Sequence, residues 1–188
     1  MLSPAIRAAI PNFITLGRLL AVPVAIWLMV ADHMAAAFWL FVAAGVSDAL
    51  DGFLARRLRV RSVFGSYLDP LADKALLASV YATLGFLGHI ESWLVIMVVF
   101  RDVLILGGAV LYLVLAGSLA MQPLLVSKIN TTAQLILVSA HLARLGLGLD
   151  DFGIITVMTY VVAATTFVSG AAYFGIWSWR IVRMGSMR

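Results

Sequence analysis

Residues 35–74 read AAAFWLFVAAGVSDALDGFLARRLRVRSVFGSYLDPLADK, and this stretch decides the class of fold. It opens as an unbroken apolar run from Ala35 to Val46 and meets Asp48 and Asp51 only near its end. It then passes a basic segment from Arg56 to Arg61 and turns apolar again, with Asp69 and Asp73 near the new start. An apolar helix that gains carboxylates at one end, followed by a cationic turn, reads as a helix reaching a membrane surface and another returning from it.

Working outward, six apolar stretches are found: Phe13–Ala31, Ala35–Ala55, Ser66–Leu87, Trp93–Ala116, Leu124–Leu145 and Phe152–Ile181. Each reaches or comes within a residue of the ~20 helical residues needed to cross a hydrocarbon layer of ~30 Å, and the last is long enough to tilt or run past it. The composition agrees. Of 188 residues, 63% are hydrophobic and 12% charged, with a mean hydropathy of +1.06. Soluble domains carry about 45–50% apolar and about 25% charged residues, so a soluble enzyme and a disordered chain are both excluded. The sequence predicts an all-α, polytopic membrane bundle of six transmembrane helices. A single domain is expected over residues 1–188, with an interfacial helix over 1–11 and the bundle over 12–182. Ser3-Pro4 suits a helix start, and Leu2, Ile6 and Ile10 recur every four residues, which supports the interfacial helix over a frayed end.

No removable signal is evident, and no cysteine is present to supply a disulfide, a thiolate metal site or a nucleophile. With six spans, eleven of the thirteen Lys and Arg residues collect on one side: Arg7, Arg18, Arg56, Arg57, Arg59, Arg61, Lys74, Lys128, Arg180, Arg183 and Arg188. The positive-inside rule then makes both termini cytoplasmic. The net charge of +4 reports this retention rather than nucleic-acid binding, for which no basic soluble segment exists. A bacterial inner membrane is the expected location. The three histidines, isolated in sequence, are expected in loops or at interfaces. Trp27, Trp39, Trp93, Trp177 and Trp179 are expected at interfacial or lipid-facing positions, and Gly85, Gly88, Gly107 and Gly108 where helices approach or loosen.

Ionisable groups inside membrane segments are costly, and four carboxylates near one membrane face demand an explanation. Asp48 and Asp51 are three apart, and Asp69 and Asp73 four apart, so each pair shares a helical face. Facing one another, they repel unless cations intervene. Either nearby arginines pair with them, or one or two divalent cations take their hard oxygens. Gly52 and Ala55 strip bulk from the acidic face, and Arg56 follows at the water boundary, where a guanidinium holds phosphate in a fork. Together these describe a metal-assisted phosphate site.

The run Asp48-Ala-Leu-Asp51-Gly52-Phe-Leu-Ala55-Arg56, eight residues, Gly65, three residues, Asp69, three residues, Asp73 resembles the signature of the CDP-alcohol phosphotransferase family, D-x2-D-G-x2-A-R-x8-G-x3-D-x3-D. Every fixed position matches, and the six-span layout agrees with that family over most of the chain. The resemblance implies transfer of a phosphatidyl group from CDP-diacylglycerol to an alcohol with release of CMP. It implies two divalent cations, Mg or Mn, held by Asp48, Asp51, Asp69 and Asp73, with Asp73 also the general base. Gly52, Ala55, Arg56 and Gly65 would contact the CDP moiety, and a homodimer is the usual assembly.

The opening Ile10-Pro11-Asn12-Phe-Ile-Thr15-Leu-Gly-Arg18 resembles the first helix of members that make anionic phospholipids. Asn12, Thr15 and Arg18 share one face and either line the nucleotide pocket or serve as a cap and a snorkelling cation. For the acceptor, Arg101 either holds a phosphate or pairs with a carboxylate, and Lys128 either binds or snorkels. Arg101-Asp102-Val103 and Ser127-Lys128-Ile129-Asn130-Thr131 look like the R-D-V and S-K-x-N-T blocks of CDP-alcohol-type cardiolipin synthases, which assigns Arg101, Lys128 and Asn130 to the acceptor. They depart from the Arg-Glu pair and K-x-K-T pattern of phosphatidylglycerophosphate synthases. Charge points the same way, since a monoanionic diester such as phosphatidylglycerol needs fewer cations than glycerol 3-phosphate. The expected activity is therefore cardiolipin synthesis, with glycerol 3-phosphate the alternative acceptor. A divalent-cation transporter is the alternative of a different class; it explains the carboxylates but not the Gly52-Ala55-Arg56 run.

Overall fold

The computed structural model describes residues 4–58, 63–116 and 124–185, with side chains described over 15–48, 72–112 and 124–180 and at Val114. Among the described residues every regular element is a helix: α1 (Pro4–Val30), α2 (Met34–Leu58), α3 (Val63–Phe86), α4 (Ser92–Ala116), α5 (Leu125–Leu147) and α6 (Ile154–Gly185). These correspond one to one with the six apolar stretches. The largest departure is at the N-terminus, where α1 runs without a break through Pro11. Residues 4–10 and the first apolar stretch thus form one helix rather than two separate elements.

The turns follow local chemistry. α1 closes with His33 N–H donating to the Leu28 carbonyl at 2.8 Å and Asp32 N–H to Met29 at 3.1 Å. Asp32 takes a left-handed φ of 60°, which completes a Schellman cap. α3 closes the same way through Gly88 (φ 78°), with His89 N–H on the Leu84 carbonyl at 2.9 Å and Gly88 N–H on Gly85 at 3.1 Å. Within the helices, polar side chains bond back to their own backbone: Ser79 to Ala75, Thr83 to Ser79, Thr131 to Ser127 and Thr132 to Lys128. Such bonds satisfy hydroxyls locally, as an apolar surrounding requires.

Two compact units are distinguished, Met1–His89 with Val138–Asp150, and Ile90–Leu137 with Asp151–Arg188. In the first, α1 packs against both α2 and α3. Its core gathers Ala25, Met29, Ala37, Phe41, Ala72, Leu76, Val80, Tyr81 and Leu84. The C-terminal end of α5 crosses the start of α2 so closely that a Cβ on Gly146 would lie 2.6 Å from the Ala35 backbone nitrogen. In the second unit α4 packs on α6. There the Trp177 indole occupies the space beside Gly108, with its Cδ1 2.7 Å from where a Cβ would stand.

That contact corrects one expectation. Trp177 is buried and packs on Tyr112 with ring centroids 5.5 Å apart, because Gly108 leaves a slot for it. Trp27, Trp39, Trp93 and Trp179 are exposed, in keeping with an outward-facing role. His141 is likewise neither in a loop nor at an interface but buried within α5. Gly107 has open space around it, so of that glycine pair only Gly108 admits a neighbour.

Among the described residues two helical stretches are long and apolar enough to cross a membrane, Ser92–Tyr112 and Ile154–Arg180, with mean hydropathies of 2.4 and 1.7. Only 17% and 28% of them are buried. Apolar helices that face outward over most of their length are unlike the core helices of soluble proteins, which are buried. Shorter apolar stretches occupy Thr15–Val30 and Met34–Asp48. α5 falls short because its run from Lys128 to Gln134 is polar.

Candidate functional site

The carboxylate site is assembled within the first unit by three helices. Asp48 lies in the second half of α2 and Asp73 in the first half of α3. Arg18, 55 residues before Asp73 in sequence, reaches both from α1. Its Nη1 lies 3.1 Å from Asp48 Oδ1 and donates to Asp73 Oδ1 at 2.5 Å. One guanidinium nitrogen thus holds two of the four expected carboxylates in the same small volume. The Arg18 side chain is 2% exposed, whereas the Asp48 and Asp73 side chains are 48% and 42% exposed. The cation is shut in while the acids keep an open side. Thr15, one turn earlier on α1, is buried on the same helical face as Arg18.

The backbones of Asp51, Gly52, Ala55 and Arg56 lie in α2 and those of Gly65 and Asp69 in α3. Their side chains, and that of Asn12 in α1, lie outside the described residues. Helical periodicity places Asp51 one turn beyond Asp48 and Asp69 one turn before Asp73. Among the described residues no group of three or more His, Cys, Asp or Glu gathers. The donors that are described fit a hard divalent cation: two carboxylates from different helices, brought together and partly open, with no soft or nitrogen ligand among them. A cavity of about 390 Å³ lies elsewhere in this unit, lined by Asp32, His33, Met34, Ala35, Ala36, Leu145 and Gly146. It sits about 20 Å along α2 from Asp48 at 1.5 Å per residue, so it is not part of the carboxylate site.

A second polar cluster is built within the other unit. Arg101, on α4 and buried, donates through Nη1 to Asp102 at 2.6 Å, through Nη2 to Ser127 at 2.5 Å and Ser169 at 2.8 Å, and through Nε to Ser169 at 3.1 Å. Four of the five guanidinium N–H groups are thereby engaged. Arg101 and Asp102 thus form an ion pair. Asn130, fully buried on α5, accepts at Oδ1 from Thr165 and Thr166, each at 2.9 Å. Its Nδ2 is buried and without a partner among the described residues. Lys128 is exposed and is not drawn into this cluster.

Thr165, Thr166 and Ser169 carry no motif in the sequence, and Ser127 enters only as part of the S-K-x-N-T block. A signal existed: Thr159, Thr166, Ser169, Tyr173 and Trp177 recur at intervals of seven, three, four and four, and all five are buried. This is a polar stripe at helical spacing along α6. Isolated hydroxyls in an apolar helix draw little attention in sequence because they can satisfy themselves on their own backbone.

The model of the CDP-alcohol phosphatidyltransferase family matches residues 8–177, across both units. The chain belongs to that family, whose members form a class of transferase enzymes. It is 39% identical over 184 residues to the chloroplastic CDP-diacylglycerol–glycerol-3-phosphate 3-phosphatidyltransferase 1 of Oryza sativa subsp. japonica, covering 87% of this chain and 55% of the rice protein. It is 34% identical over 182 residues to cardiolipin synthase (CMP-forming) of Homo sapiens, covering 88% of this chain and 60% of the human protein. Against CDP-diacylglycerol–glycerol-3-phosphate 3-phosphatidyltransferase of Bacillus subtilis it is 34% identical over 183 residues, covering 88% of this chain and 93% of that protein. The chain thus spans somewhat over half the length of the rice and human relatives. Both glycerol-3-phosphate 3-phosphatidyltransferases and a cardiolipin synthase are thus among its relatives.

Proposed function

We propose that this protein is a cardiolipin synthase of the CMP-forming type, transferring a phosphatidyl group from CDP-diacylglycerol to phosphatidylglycerol. The observation that carries the choice of acceptor is the Arg101–Asp102 ion pair at 2.6 Å. Arg101 on α4 is neutralised by its neighbour, and the fully buried polar residue on α5, Asn130, is uncharged. A cluster with so little net positive charge suits a monoanionic phosphodiester better than the nearly dianionic phosphate of glycerol 3-phosphate.

In this reading Asp48, Asp51, Asp69 and Asp73 hold two divalent cations, Mg or Mn, which when bound supply positive charge to the substrate pyrophosphate. Gly52, Ala55 and Gly65 leave room for the CDP moiety, Arg56 binds its phosphates, and Asn12, Thr15 and Arg18 line the nucleotide pocket. Asp73 accepts the proton of the attacking phosphatidylglycerol hydroxyl. That oxygen forms its bond to the phosphatidyl phosphorus as the pyrophosphate P–O bond breaks and CMP leaves. Arg101, Lys128 and Asn130 serve the acceptor, Arg101 chiefly by fixing Ser127 and Ser169 around it.

The helices form a six-span bundle in a bacterial inner membrane, with both termini and the carboxylates on the cytoplasmic side and two copies assembled as a homodimer. The outward-facing apolar surfaces of α4 and α6 support a lipid surrounding, and the cation distribution supports the orientation. The second reading, phosphatidylglycerophosphate synthesis, is favoured by the rice and Bacillus relatives. Transport of cations gains nothing from membership of a transferase family.

The deciding experiment gives purified protein CDP-diacylglycerol with either phosphatidylglycerol or glycerol 3-phosphate and identifies the lipid product by mass. Cardiolipin is expected from the first mixture and no product from the second. Phosphatidylglycerophosphate alone would overturn the assignment of the acceptor.

A further inference from the structure

We infer that Arg18 is a built-in counter-cation of the carboxylate site, which a divalent metal must displace, and that its displacement frees the guanidinium for an anionic substrate. The inference rests on the metal-site reading above and goes beyond it by giving Arg18 two successive sets of partners. Arg18 Nη1 is in contact with Asp48 and Asp73 at once, at 3.1 and 2.5 Å. Those two acids come from different helices and repel each other when ionised. A single positive charge between them, itself only 2% exposed, removes that repulsion and ties α1 to α2 and α3. A divalent cation taking the same oxygens would share a space of a few ångströms with the guanidinium. Two positive centres that close repel each other strongly, and burial of the guanidinium limits screening by water. Metal entry therefore weakens both ion pairs.

Arg18 has a route out of this conflict. It stands one turn from Thr15 on the face expected to line the nucleotide pocket, and a pyrophosphate is the strongest acceptor a displaced guanidinium would find there. The site is then ordered in both states. Without metal, Arg18 prevents the carboxylates from repelling one another; with metal and substrate, it changes partner and adds to substrate binding. Arg18 is thus a positioning residue in the first state and a binding residue in the second.

The test is a Mn²⁺ titration of the detergent-solubilised full chain, followed by the electron paramagnetic resonance signal of free Mn²⁺, for the wild type, Arg18→Gln and Arg18→Lys. Removing the competing charge predicts that Arg18→Gln binds Mn²⁺ about tenfold more tightly, a factor equal to about 1.4 kcal/mol. Arg18→Lys, which keeps the charge, stays close to the wild type. Thermal unfolding in chelator provides a second readout: Arg18→Gln melts lower than the wild type, and added Mn²⁺ narrows the gap. Damage to the fold would weaken metal binding rather than strengthen it, so the direction discriminates. Equal or weaker Mn²⁺ affinity in Arg18→Gln overturns the competition while leaving the metal site intact. A wild type that binds no Mn²⁺ overturns the competition and the metal reading together.

Discussion

Asp73 joins two interactions that pull in different directions. As the proposed general base it must be ionised and accessible, and as the partner of Arg18 at 2.5 Å it is held in place by a buried cation. Asp73→Asn keeps the shape but can neither accept the proton nor oppose the positive charge. CMP release is expected to fall by about 10²–10⁴-fold, with the helical circular dichroism unchanged. The acidic spacing was legible in sequence because three- and four-residue intervals translate directly into a helical face. The partner of those acids was not. Arg18 precedes Asp73 by 55 residues, and whether a cation on another helix snorkels or turns inward depends on packing that periodicity does not encode.

At the scale of the helix, two kinds of contact set the architecture, backbone approach at small residues and hydroxyl pairing along α6. Gly146 meets the α2 backbone at Ala35, and backbone cannot move aside for a methyl group. Gly146→Ala should cost about 1–3 kcal/mol in detergent-measured stability. Gly107→Ala, facing open space, should be neutral or slightly stabilising because a helical glycine is replaced.

The stripe on α6 yields another expectation. Thr166 donates to Asn130 Oδ1 at 2.9 Å and so directs which end of the amide remains to donate. Thr166→Val, similar in shape but without the hydroxyl, should raise KM for phosphatidylglycerol by about 5–10-fold, as expected for one lost hydrogen bond. The KM for CDP-diacylglycerol should not change, and Thr166→Ser should restore the wild-type value. Helix ends and the six-element order were readable from Asp32, Gly88 and the loop chemistry. The Trp177 slot was not, because one glycine of the Gly107–Gly108 pair admits a neighbour and the other does not, and only the packed helices distinguish them.

For the molecule as a whole, the account predicts an orientation. The chain has no cysteine, so single introduced thiols report position cleanly. His33→Cys, in the first loop, should react with a membrane-impermeant maleimide on intact spheroplasts, and Arg188→Cys only after permeabilisation. The reverse pattern would invert the topology. Six apolar stretches sufficed to anticipate the helix count, whereas only two helical stretches pass as spans by apolarity among the described residues. The stretches Thr15–Val30 and Met34–Asp48 are apolar as well, and α5 is interrupted by its polar run from Lys128 to Gln134.

The central claim is that the clustered aspartates perform metal-assisted phosphatidyl transfer. Its most direct test measures CMP released from CDP-diacylglycerol in the presence of phosphatidylglycerol, with Mg²⁺, with Mn²⁺ and with chelator, for the wild type and for Asp48→Asn, Asp51→Asn, Asp69→Asn and Asp73→Asn. The account predicts release by the wild type with either metal, none in chelator, and a loss of two orders of magnitude or more in each variant. Undiminished CMP release in chelator, or in the four variants, would contradict it.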